Sequence, residues 1–460
     1  MLTKSTAEAV LAEALTTGGD FAEIFMEDTV YGTISMIDGN VDKAANSRDH
    51  GAGIRIYQGL NAVYVHTNDT SLEGLLACAR KGAAAIGDEV MSRQVQLTRS
   101  IPTNIHMIKQ LPGDVSGQRK VRKLLDAYRT AKAYDTAISQ VVTSLREVDQ
   151  SVVIANSDGL FTNDRRVYTR LGVQAIASGN GENQTGFIGP GAMMGFELFD
   201  TRVDPAACGT IAAETAVKML RAPVCPAGVM PVVIDSGFGG VIFHEACGHS
   251  LEATAVARGN SEFAGKLGQK IAADCVTAID DGTMPNEWGS LNIDDEGTPT
   301  TRLTLIENGV LKNYMIDRLN GRRMNMPVTG SARRQSYAYA PTSRMRNTFI
   351  APGSDDPAEI IATMGDGLYA AKMGGGSVNP STGEFNFAVM EGYLVKDGKI
   401  STPVRGATLV GKGSEIIMKI DRVSRDMKMG QGMCGSVSGS IPTNVGQPMI
   451  RVSSLTVGGR

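Results

Sequence analysis

The chain has 460 residues, 42% of them hydrophobic and 20% charged, and its 45 Lys and Arg against 48 Asp and Glu leave a net charge of −3. That length exceeds one ordinary core, so two domains are expected, and the composition is that of a folded globular protein. The near balance of charge sets up no field for nucleic acid or an anionic membrane, and no run approaches the roughly 18 apolar residues of a membrane span, so neither is expected as a partner.

The first twenty residues, MLTKSTAEAVLAEALTTGGD, carry acidic Glu8 and Glu13 within a short apolar pattern and do not read as a signal peptide. Val10, Leu11 and Leu15 suit an amphipathic helix closed by Gly18 and Gly19. The six cysteines (78, 208, 225, 247, 275, 434) are scattered with no CxxC pair, which reads as a reduced, cytoplasmic chain.

Short strands are expected at 21–27, 32–37, 51–57 and 61–67, separated by turn residues such as Asp38-Gly39-Asn40. Thr70 and Glu73 have capping-box spacing and open a helix bearing Leu72, Leu75, Leu76, Ala79 and Ala83. Residues 101–115 read as an extended loop. Val121, Leu124, Leu125 and Tyr128 then predict a second helix over 116–133. Its opposite face carries Arg119, Lys120, Arg122 and Lys123, read as a solvated face rather than a nucleic-acid patch. Residues 137–178 read as three antiparallel strands with a turn at 156–159. An alanine-rich helix follows over 204–221, ended by Pro223 and Pro226. The domain boundary is placed there. His50, His66 and His106 are isolated and read as structural.

The next stretch, VMPVVIDSGFGGVIFHEACGH, passes from an apolar strand through a glycine-rich turn into a buried apolar run that delivers His244, Glu245 and His249. Buried polar groups need partners, and a metal ion would be one. The familiar zinc-protease spacing sets two histidines four apart. Here they are five apart. On a regular α-helix five residues leave the side chains about 140° apart and four leave about 40°, so Glu245, not His244, would align with His249. A shared ion therefore predicts a π-type i→i+5 bond or another break near 246–248. The alternative is two unrelated histidines and an ion-paired glutamate.

Residues 255–270 read as a loop or broken helix near this motif, 275–279 as a strand, and 286–299 as an acidic turn. Asp294, Asp295 and Glu296 are conceivable calcium ligands, but their spacing matches no EF-hand loop. A hairpin is expected from 301–305 and 311–317, and a strand within 344–350. Arg333 and Arg334 are candidate carboxylate binders or structural arginines. A helix is expected over 356–368. Gly374, Gly375 and Gly376 expose bare backbone that suits close approach of a ligand or another strand, while no Gly-Lys-Ser/Thr ending marks a phosphate loop. Strands at 385–389 and 391–395, a tight turn at 396–399 and a terminal strand at 448–457 complete the chain. The fold class expected is α+β: an N-terminal α/β domain over 1–222, with antiparallel strands and at least two helices, and a β-rich domain over 223–460 carrying the histidine motif.

Five stretches are more specific in combination. HEACGHSLEA, GSARRQSYAYAPTSRMRNTFIAPG, GGGSVNPSTGEFNFAV, PVRGATLVGKGSEI and GMCGSVSGSIPTNVGQPMIRV, in this order, resemble the TldD/PmbA family, in particular its TldD branch. The resemblance covers essentially the whole chain and is strongest over 235–460. It implies a zinc metallopeptidase in which His244, His249 and Cys434 hold the metal and Glu245 is the catalytic base. Two imidazoles and one thiolate leave a fourth position for water, and a thiolate favours Zn2+ over magnesium or calcium. Cys247 reads as small buried filling rather than a ligand. The family further implies peptide substrates, unfolded or short, and a homodimer or a heterodimer with a PmbA-type chain. A peptide is expected to add as a β-strand beside residues 374–383. Two other readings remain: a metal-free scaffold partner, and a cysteine hydrolase using Cys434 or Cys247.

Overall fold

A computed structural model describes residues 2–379 and 381–459. They build two large sheets, one of eight strands from the N-terminal half and one of eleven from the C-terminal half. The architecture is α+β, with helices on the first sheet and a β-rich C-terminal domain that carries the His244–His249 segment.

The first sheet is ordered Asn61–Thr67, Asn40–Gln58, Phe21–Ile37, Ile138–Asn156, Leu160–Gly179, with antiparallel neighbours throughout this run. Its strands are longer than expected. Two predicted strands fuse into Phe21–Ile37, and Asn40–Gln58 absorbs the polar stretch 42–49. The residues of that stretch are exposed, so they carry no hydrophobic alternation. They are strand because their backbone pairs in register with the preceding strand, Thr29 opposite Asp49, across a turn in which Asp38 and Gly39 take positive φ. The three strands expected over 137–178 are likewise two, Ile138–Asn156 and Leu160–Gly179.

Two pairs of helices cover this sheet. Lys4–Ala14 and Leu72–Ile86 bury Val10, Leu11, Leu75 and Ala79 against Ile24, Ile54 and Ile56. The cap of the second is Ser71, whose hydroxyl accepts from the Gly74 amide, not Thr70 as the spacing predicted. Gly117–Ala133 and Pro205–Arg221 pack Leu124 and Ala127 against Ala212 and Ala216. Their separation depends on Gly209, where a Cβ would lie 2.1 Å from the Ala127 carbonyl oxygen.

The second sheet is organised around Gly439–Gly458. It pairs with Ile420–Ser436, Thr408–Lys412 and Gly228–Ile234 antiparallel and with Asn347–Ile350 parallel. Here too element boundaries moved. The strand expected at 275–279 is Ala278–Asp281, the second arm of the 301–317 hairpin shrinks to Val310–Leu311, and the helix expected to reach 368 stops at Ala362. Leu368 instead belongs to a long strand, Gly367–Val378, and 385–395 is one strand, Glu384–Lys396. These segments are too short for periodicity to separate helix from buried strand.

Buried ion pairs tie the halves together. Arg55 reaches Glu23 at 2.9 Å and Glu296 at 2.6 Å, Arg166 reaches Asp295 at 2.6 Å, and Arg334 reaches Glu23 at 2.9 Å. Asp294 accepts the backbone amides of Glu296, Thr298 and Ala332. The acidic run 294–296 is thus engaged by arginines and amides. Lys218 on the Pro205–Arg221 helix donates to Glu391 of the second sheet at 2.6 Å.

Arg334→Ala removes one of the two guanidiniums on buried Glu23 and leaves Glu23 and Glu296 to share Arg55; it is expected to cost about 3–5 kcal/mol of unfolding free energy, measured by denaturant titration. Burial works against the Glu391 carboxylate, but hydrogen bonds from Lys218, Lys372 and Tyr393 outweigh it and hold its pKa down to about 2. A folded value below the unfolded one gives stability that is present above the unfolded pKa and lost as pH falls toward the folded one. The stability gap between the native chain and Glu391→Gln should therefore narrow from about pH 6 to about pH 3.

Candidate metal centre

The strand Gly228–Ile234 leads into a turn at Gly237, whose φ of +84° suits glycine, and then through Phe238–Gly240 into Val241–Phe243. Val241, Ile242 and Phe243 are buried in the main core of the second domain. Over His244–Gly248 the helix widens to a π turn, and the His249 amide donates to the His244 carbonyl oxygen. This is the i→i+5 bond that the five-residue spacing predicted. It brings the two imidazoles to a ring-centroid separation of 4.9 Å. Glu245, one helical turn before His249, sits with Oε2 3.7 Å from His249 Nε2. Two glycine contacts hold the turn tightly. A Cβ on Gly413 would lie 1.9 Å from the Ala246 carbonyl oxygen, and one on Gly248 would lie 2.3 Å from Met345 Sδ.

Cys434 arrives from the strand Ile420–Ser436, opposite Ile441 in the antiparallel register. Its Sγ lies 3.3 Å from His244 Nε2 and 3.3 Å from His249 Nε2. Residues 190 positions apart in the chain therefore present three ligand atoms within 4.8 Å of one another. A tetrahedral ion with ordinary zinc–nitrogen and zinc–sulfur bonds requires nitrogen-to-sulfur separations of about 3.6 Å, so the donor set fits such an ion. Burial disfavours the Cys434 thiolate, yet the two imidazoles more than offset it, and its pKa is pushed down to about 3. A deprotonated sulfur is what a metal needs.

Two residues that the motif did not single out complete the surroundings. His249 Nδ1 lies 3.2 Å from Glu252 Oε2. Burial opposes protonation of His249, but the Glu252 carboxylate and Cys434 raise its pKa well above the usual imidazole value. A carboxylate on the far nitrogen of a ligating imidazole fixes the ring's tautomer and orientation. Arg344, fully buried, donates to the Cys434 carbonyl oxygen at 2.6 Å and sits 3.9 Å from Glu252 Oε1, so it joins both sides of the centre. Glu252 was within reach of sequence reasoning, since it lies three residues past His249; Arg344 had no signal beyond its residue type.

Glu245, His249 and Glu252 line a cavity of about 480 Å³ together with Ser377, Val378 and Gly435. Gly374, Gly375 and Gly376 lie on the strand Gly367–Val378 that enters this wall. Gly376 is forced by close pairing, since a Cβ there would lie 2.1 Å from the Asn386 carbonyl oxygen, whereas Gly375 faces open space. Of this strand, only Leu368–Ala370 pair with its other neighbour, Gly228–Ile234, so among the described residues the edge beyond is free. Pro380, within the expected 374–383 segment, lies outside the described residues. Arg333 is not brought to the centre and lines a different cavity. Cys247 is fully buried, and burial, with Glu262 nearby, pushes its thiol well up, as suits inert filling.

Models of the PmbA/TldA metallopeptidase domains match the chain almost end to end: domain 1 over 22–86, the central domain over 110–220 and the C-terminal domain over 227–459. The chain belongs to the PmbA/TldD metallopeptidase family. It is an enzyme that hydrolyses peptide bonds. Among its relatives, a metalloprotease TldD homolog of Haemophilus influenzae is 35% identical over 96% of this chain and 93% of its own length. A zinc metalloprotease TldD homolog of Saccharolobus solfataricus is 34% identical over 53% of this chain and 54% of its own. The fold is that of TldE from Thermococcus kodakarensis, with a TM-score of 0.74 over 96% of this chain and 97% of that one at 17% identity.

Removing Glu252 frees the His249 ring while leaving all three candidate ligands in place. Glu252→Ala is expected to weaken metal retention by about 10–100-fold, read by chelator competition.

Proposed function

We propose that this metallopeptidase is zinc-dependent, that His244, His249 and Cys434 hold the zinc, and that it cleaves unfolded or short peptides with Glu245 as general base. The observation that carries the reading is the convergence of two imidazoles and a thiolate, of which His249 lines one cavity together with Glu245. The thiolate supports zinc over hard cations, and one relative bears the name zinc metalloprotease. Zinc bound there would supply a Lewis acid that acidifies water and polarises the scissile carbonyl. The side chains do the rest. His249 is oriented by Glu252, and Cys434 is fixed through its backbone by Arg344. Glu245 takes a proton from the attacking water and returns it to the leaving amine.

The free edge at 374–378 supports binding of the peptide as an added strand, which selects extended over folded substrates. We place the boundary between domains at 222/223, between the end of the Pro205–Arg221 helix and the first strand of the second sheet. A homodimer or a pairing with a PmbA-type chain, in the cytoplasm, completes the reading. Among the described residues no helix is long and apolar enough to cross a membrane.

One observation favours a rival: a cysteine held as thiolate between two histidines is also how a cysteine hydrolase prepares its nucleophile. Glu245→Gln separates the two. It should lower kcat at least about a hundredfold while leaving one metal per chain, whereas a cysteine hydrolase would keep its activity in that variant and in chelator. Chain purified without chelator and free of metal would instead favour a scaffold. For the strand-addition reading, Gly375→Val should impair peptide cleavage with metal content unchanged; unimpaired cleavage would remove it.

A further inference from the structure

We infer that the cavity around Arg333 is a second ligand site, for a small monocarboxylate, separate from the metal centre. The cavity, about 370 Å³, lies between the first sheet and the hairpin of the strands Ile420–Ser436 and Gly439–Gly458. It shares no lining residue with the cavity at Glu245 and His249. Three arginines line it, and two of them are neutralised: Arg166 by Asp295 at 2.6 Å and Arg334 by Glu23 at 2.9 Å.

Arg333 differs. It is only 3% exposed, and its Nη1 donates to the Met345 and Pro442 carbonyl oxygens at 2.9 and 2.6 Å. Carbonyls satisfy hydrogen bonds but not charge, and among the described residues no carboxylate pairs with it. A buried guanidinium without a counter-charge is costly. Burial, helped by Arg166 and Arg344, outweighs the opposing influence of Tyr168 and Asp295 and pulls its pKa down to about 10. The planar guanidinium matches a carboxylate, and the Tyr168 ring forms the adjoining wall.

The charge balance selects the ligand. One cation lacks a partner, and Asp49 and Asp295 also line the cavity, so a single negative charge is accommodated and a phosphate dianion is repelled. The carboxylate could be that of a free amino acid or of a peptide's C-terminal end. Asp49, exposed on the wall, would take the ammonium of the former. Met433 lines the cavity, and successive side chains of a strand face opposite ways. An occupant would therefore press on the face of this strand opposite Cys434.

The test uses the full chain carrying Glu245→Gln, with metal bound, and follows trifluoroacetate by fluorine NMR. Saturable binding is expected, weakened at least tenfold by Arg333→Gln, partly kept by Arg333→Lys, and weakened by Ser47→Trp, which narrows the cavity while leaving the cation. Carboxylate held by the metal instead would ignore Arg333→Gln. No saturable binding, or equal affinity in folded Arg333→Gln, overturns the site; if that variant does not fold, Ser47→Trp decides in its place. Stronger displacement by glycine than by N-acetylglycine assigns a free amino acid, and equal or weaker displacement a peptide end; failure of both to displace overturns the site.

Discussion

A single backbone hydrogen bond, from the His249 amide to the His244 carbonyl, sets the rest of the centre. A regular α-helix would bond the amide one residue sooner and turn the two imidazoles away from each other. The wider turn keeps them on one side and still leaves Glu245 within 3.7 Å of His249. One added residue thus lets three polar side chains share a face, a use typical of π turns at functional sites. The surroundings leave the backbone little freedom to relax, because Gly248 and Gly413 bring Met345 and a neighbouring segment against it with no room for a Cβ.

The third donor obeys a different constraint. Cys434 stands next to the end of a strand whose neighbours, Met433 and Gly435, are exposed, so its own position needs fixing from outside the strand. The antiparallel ladder with Gly439–Gly458 sets its register. Arg344 then clamps its carbonyl and also donates to Ser438 and Gly439 across the turn. From the first sheet, Arg170 holds the carbonyl of Gln431, and the Trp288 indole of the second domain holds that of Gly432. The position of the sulfur is therefore a property of both halves of the molecule, and it explains why a β-rich domain alone does not define the centre.

How much of this was legible in the residues differs by element. The helices were readable because amphipathic periodicity and polar caps act locally; Ser116 and Asp204, the first residues of the two expected ranges, are the caps. The π turn was readable because a spacing of five contradicts a regular helix if both histidines serve one ion. The long strands were not. Residues 42–49 form strand through backbone pairing with no side-chain burial, so they leave no alternation to detect. The convergence of Cys434 on the histidines came from family resemblance, since no local rule joins residues 185 positions apart. Arg344 and the neutralisation of Asp294 to Glu296 depend on long-range contacts that composition does not encode.

The account rests on a thiolate and two imidazoles acting together on one ion. X-ray absorption at the metal edge of the purified, active protein measures that directly. The account predicts zinc with one sulfur at about 2.3 Å and two imidazole nitrogens at about 2.0–2.1 Å, the remaining ligand being light. A first shell without sulfur would contradict it.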